Sequence, residues 1–187
     1  MNWVQVQADY RAVTDFIFGP LRPDIEATAD VMIATVRAGG KVLFCGNGGS
    51  AADAQHFAGE FVNRFLLERR PYAGIALTTD ASVLTSIGND YGYEQIFEKQ
   101  VLALGRPGDV LVAISTSGNA ANVCLATRVA KAAGLKTIAM TGGKGGKLAG
   151  LADRVLSVSC TTSTPRIQEG HQLILHLICE RVEEILR

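Results

Sequence analysis

The sequence predicts an α/β fold in which five parallel strands are covered by helices on both faces. Three observations carry that prediction. Five short apolar runs recur along the chain, most of them flanked by Gly, Asp or Ser; helix-length stretches separate them; and two of the runs lead straight into loops rich in glycine and hydroxyl groups. Runs this short do not make buried helices, and they match strands buried on both faces. Strand alternating with helix implies a parallel sheet with right-handed crossovers, which puts every strand-to-helix loop at the carboxyl edge, where such folds bind ligands.

Residues 3–17 and 24–37 read as two helices, parted by the breakers Gly19, Pro20 and Pro23. The strands follow at 41–45 (KVLFC), 74–77 (GIAL), 109–114 (DVLVAI), 136–140 (KTIAM) and 154–158 (RVLSV). Between and after them, helices are predicted over 50–66, 80–103 with a break near Gly88 and Asn89, 119–133, 146–151 and 166–186. The 187 residues contain no Pro- or Ser-rich linker and no internal repeat, so one domain is expected, with helices over 1–38 and an α/β core with the C-terminal helix over 39–187.

Composition narrows the function. Hydrophobic residues make up 48% and charged residues 19%, a globular balance. Eighteen basic residues offset eighteen acidic ones without a basic run longer than the pair Arg69 and Arg70, so neither nucleic acid nor an anionic membrane is an expected partner. Cys45, Cys124, Cys160 and Cys179 show no CxxC spacing and are expected to be reduced and structural. The start lacks a basic segment followed by an apolar one, and no run reaches the ~18–20 residues of a membrane span, so an intracellular protein is expected.

The first strand runs into Gly46, Asn47, Gly48, Gly49 and Ser50, and then a helix. Glycines allow close backbone approach to a ligand, and the helix start offers unpaired N–H groups and a positive dipole end. Ser50 and Asp53 fit the Ser-x-x-Asp capping pattern. The same loop matches GxGxxA, yet the acidic residue that a nicotinamide cofactor's ribose needs is missing: Glu68 precedes the second strand and Asp80 lies too far on. The third strand ends in Ser115, Thr116, Ser117, Gly118 and Asn119, whose hydroxyls and helix N–H groups can cradle a phosphate without lysine. Two such loops at one sheet edge read as a sugar-phosphate site.

Of the three histidines, His56 stands four residues before Glu60 on one helix face. The pair can supply two metal ligands, or a base and its neighbour, or an ordinary surface contact. His176 sits in an apolar helical stretch, where a satisfied interior histidine is the usual reading. Gln168 lies eight residues earlier, which on a continuous helix means a rise of ~12 Å and directions ~80° apart. The two could share an ion only by leaning together or across a subunit boundary.

Four segments together resemble the phosphoheptose isomerases, sedoheptulose 7-phosphate isomerases within the wider sugar isomerase (SIS) family: CGNGGSAADAQHFAGEFVNRF at 45–65, ALTTDASVLTSIGNDYGYEQIF at 76–97, GRPGDVLVAISTSGNAANV at 105–123 and TPRIQEGHQLILH at 164–176. They cover most of residues 41–180 in order. The resemblance implies one SIS domain of flavodoxin-like three-layer form. It implies substrate contacts from Asn47, Gly48, Gly49, Ser50, Glu60, Asn89, Asp90 and Gln168, with phosphate contacts from Ser115, Thr116 and Ser117. It implies one zinc per subunit held by His56, Glu60, Gln168 and His176, with Glu60 and His176 as the acid/base pair, and no nucleotide cofactor. His171 falls on a position without that role.

One departure is visible: Ala120 stands where members often carry a phosphate-binding serine, so a slightly altered phosphate grip is expected. The family's homotetramers, with active sites at subunit interfaces, imply partners of the same kind here, and bacterial cytoplasm is the implied setting, supplying heptose for surface polysaccharide. The rival reading is a non-catalytic phosphosugar-binding or DnaA-binding regulator of the same fold. Glu60 and His176, which such a regulator lacks, weigh against it.

Overall fold

The computed structural model describes residues 1–187. Strands β1 (Val42–Gly46), β2 (Gly74–Ala76), β3 (Val110–Ile114), β4 (Lys136–Gly142) and β5 (Arg154–Val158) form one sheet in the order β2-β1-β3-β4-β5, and every pairing is parallel. Helices α1 (Trp3–Phe18), α2 (Arg22–Arg37), α3 (Gly49–Val62) and α8 (Thr164–Leu186) cover one face. The other carries α4 (Ala81–Tyr91), α5 (Glu98–Leu104), α6 (Ala121–Ala132) and the short α7 (Gly146–Ala149). Alternation in the strands feeds both layers: Val42, Phe44, Val110, Val112 and Ile114 pack under the first set, Leu43, Cys45, Leu111 and Ala113 under the second.

Strand order reverses between β1 and β3, so the chains leaving them diverge and open a crevice at the carboxyl edge. Gly46 and Ile114 are register partners there, which sets the loop after β1 directly beside the loop after β3. The two loops singled out by composition therefore meet at the one point where this topology makes room for a ligand.

Three of the boundaries that move bear on the site. The helix expected to reach residue 66 stops at Val62. Arg69 ends it by donating to the carbonyls of Glu60 (2.7 Å), Phe61 (3.1 Å) and Asn63 (3.1 Å), groups that a helix C-terminus leaves orphaned. The helix expected over 80–103 breaks at Gly92, whose φ of 94° suits glycine, and not at Gly88. And α3 starts one residue early, on Gly48 as N-cap with φ 55°, so Ser50 and Asp53 form no capping pair; Asp53 is instead buried and bonded across to α8.

The N-terminal helices spend most of their apolar surface inside their own chain. Val13, Ile17, Ile25, Ala29, Met32 and Val36 join the core beneath α8, leaving Trp3, Val4 and Phe18 exposed. The four cysteines are unpaired; Cys160 is exposed, while burial pushes the Cys45 and Cys179 thiols up to about 12. No helix is long and apolar enough to cross a membrane.

His171 is completely buried on α8, and its Nε2 lies 2.8 Å from the Thr141 carbonyl oxygen. Burial pushes its pKa down from 6.5 to about 4, only partly offset by that hydrogen bond, so the fold requires the neutral ring. The unfolded chain takes up the proton first. Stability is therefore expected to fall as pH drops from about 6.5 to about 4, by about 3 kcal/mol from this group, and no further below that. Urea denaturation of the native chain and of His171→Asn across this range checks it, the variant lacking this slope.

Candidate active site

Helices α3 and α8 lie side by side, running in the same direction and in step. The Gln168 amide rests on Gly49, where a Cβ would overlap it. One turn further along each helix, Gln172 Nε2 donates to Asp53 Oδ1 at 2.9 Å. One turn beyond that, His176 Nε2 lies 3.5 Å from His56 Nε2, and His56 Nε2 lies 3.0 Å from Glu60 Oε1. Residues 49, 53, 56 and 60 make one stripe of α3, and residues 168, 172 and 176 one stripe of α8. Helical spacing thus lays a polar seam from the glycine loop to Glu60.

Ligand atoms of His56, Glu60 and His176 all lie within 4.8 Å of one another. Two imidazole nitrogens and a carboxylate oxygen are a donor set that zinc accepts, and bonds of about 2.0–2.1 Å in a tetrahedron put ligand atoms ~3.3 Å apart. The 3.0 and 3.5 Å separations from His56 Nε2 bracket that edge and the third pair lies within 4.8 Å, so donor types and spacing suit a zinc ion. Aromatic rings hold the imidazoles: His56 stacks on Phe57 at 4.8 Å, and His176 meets Phe57 at 5.2 Å and stacks on Phe65 at 5.3 Å. Burial and the electrostatic influence of His56 lower the His176 pKa against the opposing pull of Glu60, which favours the neutral ring. Asp53 lies beside this seam with Oδ2 lacking a protein partner, and burial raises its pKa against the Gln172 bond and the nearby His56.

Gln168 is not beside His176. The continuous α8 keeps the two a full two turns apart, as the spacing implied, and its amide faces the glycine loop. Gly48 and Gly49 are exposed, Asn47 half-buried and Ser50 buried. On the neighbouring loop, Ser115 is buried, Thr116 half-buried and Ser117 exposed. That loop turns on Gly118, φ 64°, whose missing side chain lets Gly145 pack directly behind it. Asn119 ties the two together, donating to the Ser117 carbonyl at 2.9 Å and accepting from the Lys147 N–H at 3.1 Å. Asn89 and Asp90 stand exposed on α4 and bond each other at 2.8 Å; their segment reaches the glycine loop through Tyr93, whose hydroxyl donates to Asn47 Oδ1 at 3.0 Å.

Several participants gave no local signal. Asp53 read as a cap, and Gln172, Phe57 and Phe65 carried no reading of their own. The glycines at 142–146 that back the hydroxyl loop could have been found as a further glycine-rich stretch after a strand. Glu68, the nearest to a ribose acid by spacing, is exposed beside Arg64 at 3.5 Å, away from the crevice. A cleft of about 350 Å³ between α1, α2 and α8 is lined by Phe18, Arg22, Glu26 and Glu180 and holds no such convergence.

The SIS domain family model matches residues 7–142, beginning inside α1. The phosphoheptose isomerase of Nitratidesulfovibrio vulgaris is 57% identical over 155 residues, 83% of this chain and 74% of that protein. The phosphoheptose isomerase of Geotalea uraniireducens is 50% identical over 184 residues, 98% of this chain and 97% of that protein. Among solved structures, a phosphoheptose isomerase from Francisella tularensis superposes with a TM-score of 0.92 at 40% identity, covering 97% of this chain and 95% of that one. The one from Neisseria gonorrhoeae gives 0.88 at 45%, covering 97% and 96%. With four-segment similarity now extended along nearly the whole chain and into the fold, this protein belongs to the phosphoheptose isomerase family of SIS-domain enzymes.

Proposed function

We propose that the chain, acting as a single SIS domain over residues 1–187, converts D-sedoheptulose 7-phosphate to D-glycero-D-manno-heptose 7-phosphate by proton transfer. The observation that carries this reading is the convergence of Glu60 with His56 and His176 on the polar seam that runs along α3 and α8 from the glycine loop. The hydroxyls of Ser115, Thr116 and Ser117 hold the phosphate, the loop of Asn47, Gly48, Gly49 and Ser50 takes the sugar oxygens with Gln168, and Asn89 and Asp90 close over from α4.

Glu60 takes a proton from C1 of the ketose while His176 protonates the oxygen on C2, giving an enediol. His176 then recovers the proton from the C1 oxygen as Glu60 returns one to C2, which leaves the aldose with no net redox change. Acid/base assistance of this kind contributes roughly 10²–10⁴-fold. Zinc held by His56, Glu60 and His176, with Gln168 reaching in from a neighbouring subunit, would supply Lewis-acid polarisation of the carbonyl. The exposed Trp3, Val4 and Phe18 fit helices that pack in a homotetramer, the arrangement in which Gln168 and His176 could serve one site from two chains. The setting is a bacterial cytoplasm supplying heptose for surface polysaccharide.

Incubation with sedoheptulose 7-phosphate in deuterated buffer tests the reaction. One deuterium is expected at C2 of the aldose. Aldose formed without deuterium would exclude transfer through a solvent-exchanging carboxylate, and unchanged ketose in the presence of zinc would favour a phosphosugar-binding role.

A further inference from the structure

Two asparagines face each other across the crevice. Asn47 Nδ2 donates to Asn122 Oδ1 at 2.8 Å, and Asn122 Nδ2 donates back to Asn47 Oδ1 at 2.9 Å. Asn122 lies in the first turn of α6, is 3% exposed, and joins the loop after β3 to the loop after β1. The Val123 N–H also points at Asn122 Oδ1, at 2.9 Å. A backbone N–H can only donate, so it fixes which end of the Asn122 amide is oxygen, and through the reciprocal pair it fixes Asn47 too.

The consequence for Asn47 is a definite polarity. Its Oδ1 already receives Asn122 Nδ2 and the Tyr93 hydroxyl, which fills both lone pairs of an amide oxygen. Its Nδ2 keeps one N–H that is not committed to Asn122. We infer that Asn122 and Tyr93 are positioning residues that lock Asn47 as a one-donor group, so that the glycine loop recognises a ligand oxygen and rejects a donor at that point. Neither residue has to touch the substrate. Tyr93 is 64% exposed, so its hydroxyl also latches the α4 segment onto the glycine loop, over a cavity of about 120 Å³ lined by Asn47, Ala51, Thr78 and Tyr93.

The inference rests on the reading of Asn47 as a substrate contact, and a double-mutant cycle keeps the two apart. Asn47→Ala is expected to raise KM for the sugar phosphate roughly tenfold, the value of about one hydrogen bond, with kcat within about threefold. Asn122→Ala is expected to raise KM by about three- to tenfold, and Tyr93→Phe by about two- to threefold. In the Asn47→Ala background neither should add anything. A purely structural role for Asn122 would instead lower the melting temperature and the active fraction while leaving KM alone. Additive effects, or KM unchanged in both Asn122→Ala and Tyr93→Phe while Asn47→Ala raises it, overturn the positioning role. KM unchanged in Asn47→Ala overturns the substrate contact itself and the lock with it. Should Asn122→Ala not fold, the exposed Tyr93→Phe decides the cycle.

Discussion

Replacing Glu60 by glutamine is expected to lower kcat by roughly 10²–10⁴-fold with KM changed little, because shape and hydrogen bonding survive while the proton acceptor is lost. His176→Asn should fall in the same range. Both groups sit on the long helices α3 and α8 and neither belongs to the buried core, so the fold should hold. Two measurements separate proton transfer from metal binding. Deuterium entry at C2 reads the first, and zinc affinity by competition with a chelator reads the second. With zinc kept saturating, Glu60→Gln should still fail to exchange deuterium. Turnover within about tenfold of the native rate under those conditions would remove Glu60 from the reaction.

Glu183→Ala is expected to cost about 3–5 kcal/mol of stability, the range seen when one partner of a buried ion pair is removed. Glu183 is 1% exposed. Its carboxylate accepts from the backbone N–H groups of Phe65 (2.9 Å), Leu66 (2.6 Å) and Leu67 (2.7 Å) and from Arg69 Nε (3.0 Å). Burial alone would push this carboxyl up, but the three N–H donors and Arg69 outweigh it and hold its pKa below the usual range. With a lowered folded pKa, the contribution is complete above the ordinary carboxylate value and disappears as pH falls through the folded one. Acid denaturation of Glu183→Gln should therefore lack that component.

A paired replacement sharpens the test. Buried ion pairs can often be exchanged for apolar residues without loss. Here Arg69→Met with Glu183→Leu should not recover stability, since three backbone N–H groups would lose the carboxylate that anchors their loop. Recovery would show that the pair, and not the loop it anchors, is what matters. Activity should suffer as well, because Phe65 stacks on His176 and Arg69 holds the Glu60 carbonyl.

Most of the architecture was legible because parallel strands buried on both faces must be short apolar runs, and all five runs became strands within a few residues of prediction. The two ligand loops were legible for a local reason too: glycine and hydroxyl side chains directly follow β1 and β3. What sequence could not show was anything set by distant partners. Where α3 stops is decided by Arg69 and by Glu183, more than 110 residues from the loop it holds. The place of Gln168 depends on the packing of α8 against Gly49, and Asn122 looked like any helix-start residue until β1 and β3 brought it opposite Asn47. His56 and Glu60 were visible as a pair, but the third member came from a stretch whose apolar character argued for plain core.

The matched stride of α3 and α8 makes counting as important as chemistry. Adding or deleting one residue between Gly49 and Glu60 would swing everything beyond it by about 100°, carrying the carboxylate off the seam while leaving the upstream loop intact. The same holds between Gln168 and His176. Evolutionary drift in chain length must then be taken up outside these two segments, in the connections that flank them, whatever substitutions the seam itself tolerates.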